Sequence, residues 1–171
     1  MQKLLKFTSN HALGKKPTDI SKALSEAVEI VNPICKKACI RLDLKLDSEI
    51  KVLADYDMLE LIFVDILTNV IEAMPGGGDL KIYTTKEQSD KVKIIITDTG
   101  IGIPKDIIPS VFELFFTTKQ EIKGSGLGLA VAKNVIQDHG GEISIESKEG
   151  KGTTANIQIP VFIPVAGHLS H

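Results

Sequence analysis

Apolar positions along this chain follow two rhythms, and the changes between them mark its elements. From a cap at Thr18 or Asp19, Ile20, Ala23, Leu24, Ala27, Ile30 and Val31 recur at helical spacing, predicting a helix to about Lys37. Ile40 to Leu46 (IRLDLKL) then alternates as a strand does, and Val52 to Ala54 predicts a short second strand. Tyr56 to Met74 returns to helical spacing, with Leu59, Phe63, Ile66, Val70 and Ala73 as the predicted buried stripe. Beside that stripe runs a polar one, Asp65, Asn69 and Glu72, at i, i+4 and i+7. PGGG at Pro75 to Gly78 ends the helix.

Two strands follow, Leu80 to Thr84 and Val92 to Asp98, joined by the polar turn KEQSD. Ile107 to Phe112 predicts a short helix, Thr117 to Gly124 a polar and mobile segment, and Leu127 to Asp138 an amphipathic helix closed by His139-Gly140-Gly141. Glu142 to Ser147 and Thr153 to Pro160 alternate around KEGKG and predict a hairpin. The ends carry less pattern. Gly14 and Pro17 break any helix after the apolar Met1 to Phe7, so this stretch reads as a linker, and PVAGHLSH has no rhythm. Several strands are joined directly, which disfavours a purely parallel sheet. The pattern predicts an α+β domain, a mixed sheet with helices layered on one face.

The 171 residues suffice for one full core, and their formal charge of −2 is nearly balanced. Lys and Arg are scattered, which gives no nucleic-acid footprint. No apolar run reaches the roughly 18 residues of a membrane span, and the polar start MQKLLKFTSN is no signal peptide. The chain reads as cytoplasmic, without membrane contact of its own, although a longer parent could carry an anchor. Cys35 and Cys39, at i, i+4, have no second pair and no neighbouring His, and read as free thiols in a reducing compartment.

Candidate chemistry concentrates in Asp98 to Lys133, where two glycine clusters flank a phenylalanine-rich segment. DTGIGIP follows a predicted strand, and GSGLGLA opens a predicted helix. Glycines let backbone approach a ligand, and helix starts attract anions. No G-x-x-x-x-G-K-[ST] occurs, which excludes a P-loop, and G-x-G-x-G is not the dinucleotide fingerprint.

Taken in order, ILTNVIEAM, DTGIGIP, VFELFFTTK, GSGLGLAVAK and GKGTTANIQIP resemble the N box, first glycine box, phenylalanine box, second glycine box and closing strand of the ATP-binding catalytic domain of sensor histidine kinases. That family shares a superfamily with type II topoisomerases, heat-shock-90 chaperones and mismatch-repair ATPases. The resemblance covers roughly Thr18 to Pro160. It implies a two-layer α/β sandwich of the Bergerat type with a mobile ATP lid, and ATP and Mg2+ as cofactors. The chain then divides into a linker or tail of an upstream dimerisation helix over residues 1–17, a catalytic domain over 18–162 and a tail over 163–171.

Residue roles follow from the resemblance, each with a physical rationale. Asp98 would accept the exocyclic amine of adenine, selecting it against guanine, which has a carbonyl there. Gly100 and Gly102 would let the backbone pass the purine, Ile101 and Ile103 would wall it, and Thr153 would help hold its edge. Asn69 would complete a magnesium shell, with Glu72 and Ala73 beside it on the helix. Gly124, Ser125, Gly126, Leu127 and Gly128 would offer N–H groups to the triphosphate. Thr117 and Thr118 fall in the lid, from which Lys119 and Lys123 could reach the γ-phosphate, or simply be solvated lysines. Phe112, Phe115 and Phe116 would anchor that lid or pack in the core.

One position departs from the family. Asp65 stands where relatives commonly carry a second Asn and where the superfamily's hydrolases carry a general-base Glu. It would tune magnesium binding or orient a water. No histidine matches a phosphoacceptor: His11 lies in the linker, His168 and His171 lie in the tail, and His139 sits at a helix end, where it would cap carbonyls or favour the dipole. The chain thus reads as the catalytic piece of a longer kinase. Its partners would be ATP, a histidine-bearing dimerisation domain and a response regulator. An ATP hydrolase, a serine-directed kinase of the same superfamily and a non-catalytic nucleotide-sensing module are the other readings open to these residues.

Overall fold

The computed structural model describes residues 14–87, 89–113 and 128–164. Its elements are β1 (Lys16–Asp19), α1 (Ile20–Lys37), β2 (Ile40–Lys45), β3 (Lys51–Ala54), α2 (Tyr56–Glu72), β4 (Gly78–Lys86), β5 (Lys91–Asp98), α3 (Gly128–Asp138), β6 (Glu142–Lys148) and β7 (Gly152–Pro160), with a 3-10 turn at Ile108–Ser110. Five strands form one sheet in the order β2-β4-β5-β7-β6. The β2–β4 pair is parallel and the other three pairs are antiparallel, so the sheet is mixed. A two-stranded antiparallel sheet pairs β1 with β3.

Local chemistry sets the helix ends. Asp19 caps α1, its Oδ1 accepting from the Ser21 and Lys22 amides at 2.9 and 3.2 Å. Asp55 caps α2 through the Met58 amide at 3.2 Å. Beyond α1, Cys39 enters the left-handed region at φ 57°, which turns the chain into β2.

Alternation in β5 is complete: Val92, Ile94, Ile96 and Asp98 are buried, while Lys91, Lys93, Ile95 and Thr97 are half-buried. The buried set forms one core with Leu80 and Ile82 of β4, Ala155, Ile157 and Ile159 of β7, and residues of all three helices. Helices therefore cover one face, and the opposite face carries Lys81, Tyr83, Asn156 and Gln158. Phe63, Leu24, Leu59 and Ile62 are fully buried, each worth roughly 1.5–3 kcal/mol of transfer free energy.

The α+β architecture matches the pattern reading, with four differences. Lys16 and Pro17, read as linker, open β1, whose partners Ala54 and Leu53 lie far along the chain. On α2 the buried stripe is Leu59, Ile62, Phe63, Ile66, Leu67 and Ile71, whereas Val70 and Ala73 are only half-buried. Ala73, at the end of α2, meets the loop after β5 and accepts the Ile101 amide at 2.9 Å, while Val70 packs against the core only in part. On α1, Val28 and Cys35 are buried while Ile30 is 53% exposed. The short helix expected over Ile107 to Phe112 contracts to the 3-10 turn, with Pro109 inside it. Among the described residues no helix is long and apolar enough to cross a membrane.

Candidate functional site

Asp98 ends β5 and is 3% exposed. Its Oδ1 accepts two backbone N–H groups, from Gly100 at 2.7 Å and Thr153 at 3.3 Å. Burial pushes its carboxyl above the ordinary range, and those two bonds oppose the shift. Neither bond uses Oδ2, so the carboxylate keeps acceptor capacity for a donor from outside the chain. A water or a donor group of a ligand can take that position, and an exocyclic amine fits it.

The loop after Asp98 is stitched to its surroundings by backbone. The Ile101 amide reaches Ala73 at the end of α2, Ile101 in turn accepts from the Gly150 amide at 2.7 Å, and the Ile103 amide donates to Ser147 Oγ at 2.8 Å. These contacts explain the first glycine box. A Cβ on Gly100 would lie 2.3 Å from the Ala73 oxygen, and one on Gly102, at φ +69°, 2.1 Å from the Lys148 oxygen. The sequence reading assigned these glycines to close approach by a ligand; close approach by the chain's own backbone already demands them. Ile103 is half-buried and Ile101 is 60% exposed, an apolar side chain left uncovered at the loop.

Across α2, Asp65 and Asn69 are half-buried and Glu72 is exposed. A Cβ on Gly128, the first residue of α3, would sit 3.5 Å from Asn69 Nδ2 and 3.8 Å from the Asp65 Cβ. The start of α3 therefore lies against the Asp65 and Asn69 face, as the two separate motifs require. Glycine leaves room there for small oxygen ligands beside the Asn69 amide. The described residues hold no cluster of three or more His, Cys, Asp or Glu side chains. A single amide oxygen suits a cation that keeps most of its waters, such as magnesium, and does not suit zinc.

Thr153 is half-buried and hydrogen-bonded to Ser147, Oγ to Oγ1, at 2.8 Å. Sequence reasoning missed Ser147 because it occupies an ordinary strand position. Its register with Thr153 across the KEGKG turn is the signal that could have found it. Phe112 packs against the core, with the Lys133 ammonium 5.3 Å from its ring centre. Thr117, Thr118, Lys119, Lys123, Gly124, Ser125, Gly126 and Leu127, together with Phe115 and Phe116, lie outside the described residues.

Residues 54–163 match the family described as histidine kinase-, DNA gyrase B- and HSP90-like ATPases. The chain belongs to that family. It is 34% identical to sporulation kinase E of Bacillus subtilis over 83% of its length, and 32% identical to the sensor histidine kinase ZraS of Escherichia coli over 95%. It spans only 19% and 35% of those two relatives. Among solved structures, the mycobacterial sensor histidine kinase MprB superposes with a TM-score of 0.76 at 27% identity, covering 86% of this chain and 97% of that one. The full-length ShkA complex with AMPPNP gives 0.79 at 24% identity, a likeness of fold. The histidine kinase-like ATPase family thus accounts for the mixed sheet, the helix layer and the ATP-binding character together.

Proposed function

We propose that this chain binds Mg-ATP and delivers the γ-phosphoryl group to a histidine on a separate dimerisation domain, as the catalytic part of a two-component sensor histidine kinase. The carrying observation is Asp98: a buried carboxylate with two backbone donors on one oxygen and, among the described residues, none on the other. ATP supplies the phosphoryl group when bound. Asp98 Oδ2 would accept the adenine amine, Thr153 would hold the same edge, and Ile101 and Ile103 would exclude water from the ring. Asn69 would hold the magnesium through its amide oxygen, with Glu72 and Ala73 shaping the same helix face. Gly124, Ser125, Gly126, Leu127 and Gly128 would donate N–H groups to the phosphates at the start of α3. Lys119, with Thr117 and Thr118, would close over them. The acceptor imidazole is itself the nucleophile, so the chain's contribution is positioning and charge stabilisation.

A catalytic domain that ends near residue 162 and takes in Lys16 and Pro17 through β1, a cytoplasmic setting and transfer onward to a response regulator belong to the same proposal. Calorimetric titration tests its core. ATP binds in the presence of magnesium and weakens without it, and GTP does not bind at comparable concentration. Equal affinity for ATP and GTP would overturn the assignment of Asp98. Incubated alone with labelled ATP, the chain retains no phosphohistidine; label appears only when a histidine-bearing acceptor domain is added, and mapping it to serine instead would favour the serine-directed kinase.

A second reading, slow ATP hydrolysis, is favoured by one observation: Asp65 packs beside the Gly128 start of α3, where the phosphates would lie. An acid there can order a water or add charge near magnesium. Asp65→Asn is expected to change magnesium dependence or basal ATP turnover severalfold, and both left unchanged would remove Asp65 from the site.

A further inference from the structure

We infer that Ser147 is a positioning residue for the purine edge: its hydroxyl fixes the direction of the Thr153 proton, so that Thr153 presents an acceptor to the ligand. The inference rests on the nucleotide reading above and adds a residue which that reading does not use.

Ser147 is half-buried on β6, in register with Thr153 on β7. Its Oγ has three polar neighbours: the Ile103 amide at 2.8 Å, the Gly152 carbonyl at 2.9 Å and Thr153 Oγ1 at 2.8 Å. A serine hydroxyl has one proton and two lone pairs. The Ile103 N–H can only donate, so it takes one lone pair. The Gly152 carbonyl can only accept, so it takes the proton. The remaining lone pair must receive the Thr153 proton. No other assignment satisfies all three contacts.

Thr153 has then committed its proton within the chain and turns only lone pairs outward. Its own backbone amide donates to Asp98 Oδ1 at 3.3 Å, which places the hydroxyl next to the carboxylate. Two adjacent acceptors result, Asp98 Oδ2 and Thr153 Oγ1. A purine with an amino group at position 6 brings a donor to them; a 6-oxo purine brings another acceptor, which leaves polar groups unpaired at a real cost. Ser147 thus acts on selectivity through Thr153, and it also anchors the loop through Ile103. Without its hydroxyl, the Thr153 proton can rotate and donate to a 6-oxo group.

The test compares ATP with inosine triphosphate, whose base carries a 6-oxo group and an N1–H where adenine carries the 6-amino group and a bare N1, in magnesium-containing buffer. The contrast read is the one at position 6, where the donor becomes an acceptor. Ser147→Ala is expected to weaken ATP binding and narrow the ATP-to-inosine-triphosphate ratio by about fivefold to tenfold, the scale of one hydrogen bond. Ser147→Thr, which keeps the hydroxyl, restores the ratio. In a Thr153→Val background Ser147→Ala changes the ratio no further, because the path between them is already cut. A merely structural role would weaken both nucleotides equally, and that unchanged ratio would overturn the inference. If Ser147→Ala fails to melt cooperatively, Thr153→Val and Thr153→Ser decide: Val must narrow the ratio and Ser must keep it, and any other pattern overturns the inference. Failure of the wild type to bind ATP would instead overturn the nucleotide reading itself.

Discussion

Asp98 at the end of β5 and His139 just after α3 are both titratable side chains that burial pushes toward the neutral form. They are wired in opposite ways. Asp98 receives two amides on one oxygen and has capacity left on the other. His139 spends both ring nitrogens on backbone: Nδ1 lies 2.6 Å from the Val135 carbonyl, to which it donates, and Nε2 accepts the Asp55 amide at 3.2 Å. It therefore ties the end of α3 to the start of α2, the far end of the helix pair from Asn69 and Gly128. A cavity beside a buried group does not by itself mark a ligand site. The depressions of about 320 and 330 Å³ both border His139, along with Lys15. Unspent hydrogen-bonding capacity, and not a nearby cavity or a shifted pKa, separates Asp98, the group proposed to take a ligand, from His139, which holds two helices together.

Asp98→Asn sharpens this contrast most. The substituted side chain can keep its oxygen on the Gly100 and Thr153 amides, which turns an NH2 donor toward the adenine amine. ATP affinity is expected to fall about 100-fold, or about 2.7 kcal/mol. The unliganded chain should not lose stability. A carboxyl whose folded pKa is raised contributes stability at low pH that is lost as pH rises through that pKa, so the charged form is a burden at neutral pH. Calorimetric titration and thermal melting check the two halves. An ATP affinity within threefold of wild type would break the comparison at its functional end.

Much of this was readable from the chain. Alternation in Val92 to Asp98 announced the strand, and the glycines after Asp98 announced a close backbone approach, though the partner is the chain's own backbone. The four residues of β1, KPTD, carry no such signal, because pairing with β3 rather than local preference makes them a strand. Ala73 fits the helical stripe but lies where the end of α2 meets the loop after Asp98, and periodicity cannot say where a helix runs past its sheet. The reading of His139 was half right. It caps a carbonyl of α3, but as a neutral imidazole, because the Asp55 amide that fixes its tautomer comes from residues far away in sequence. Ser147 escaped for the same reason: its role depends on partners in two other segments.

His139→Ala tests the other end. It leaves the Asp55 amide without its partner and removes the ring donor to the Val135 carbonyl, which keeps the backbone amide of residue 139, and is expected to cost about 1–3 kcal/mol of stability. Urea unfolding measures it. ATP affinity should stay within twofold, since the change lies at the opposite end of α2. A tenfold loss of affinity would mean that the two ends are coupled through the helix pair and that the division drawn between them is false.

The smallest effect is a pH dependence of stability, and its sign follows from the wiring. His139 is held below its ordinary value of 6.5, first by burial and then by the Lys15 ammonium, against the Val135 carbonyl and the charges of Asp138 and Asp55. Lys15 is itself fixed nearby, its ammonium donating to the Asp138 carbonyl. A proton on Nε2 would confront the Asp55 N–H, so the folded chain resists protonation more than the unfolded chain does. Between the depressed folded pKa and 6.5 the unfolded state binds more protons, so stability rises with pH across that window. His139 therefore contributes fully above 6.5, loses its contribution as pH falls through the window, and adds no further slope below the folded pKa. Urea midpoints taken on both sides of 6.5 should show this decline in the wild type and lose it in His139→Phe, which keeps a ring but cannot titrate. An equal slope in both proteins would place the acid sensitivity elsewhere and remove His139 from the account of the fold.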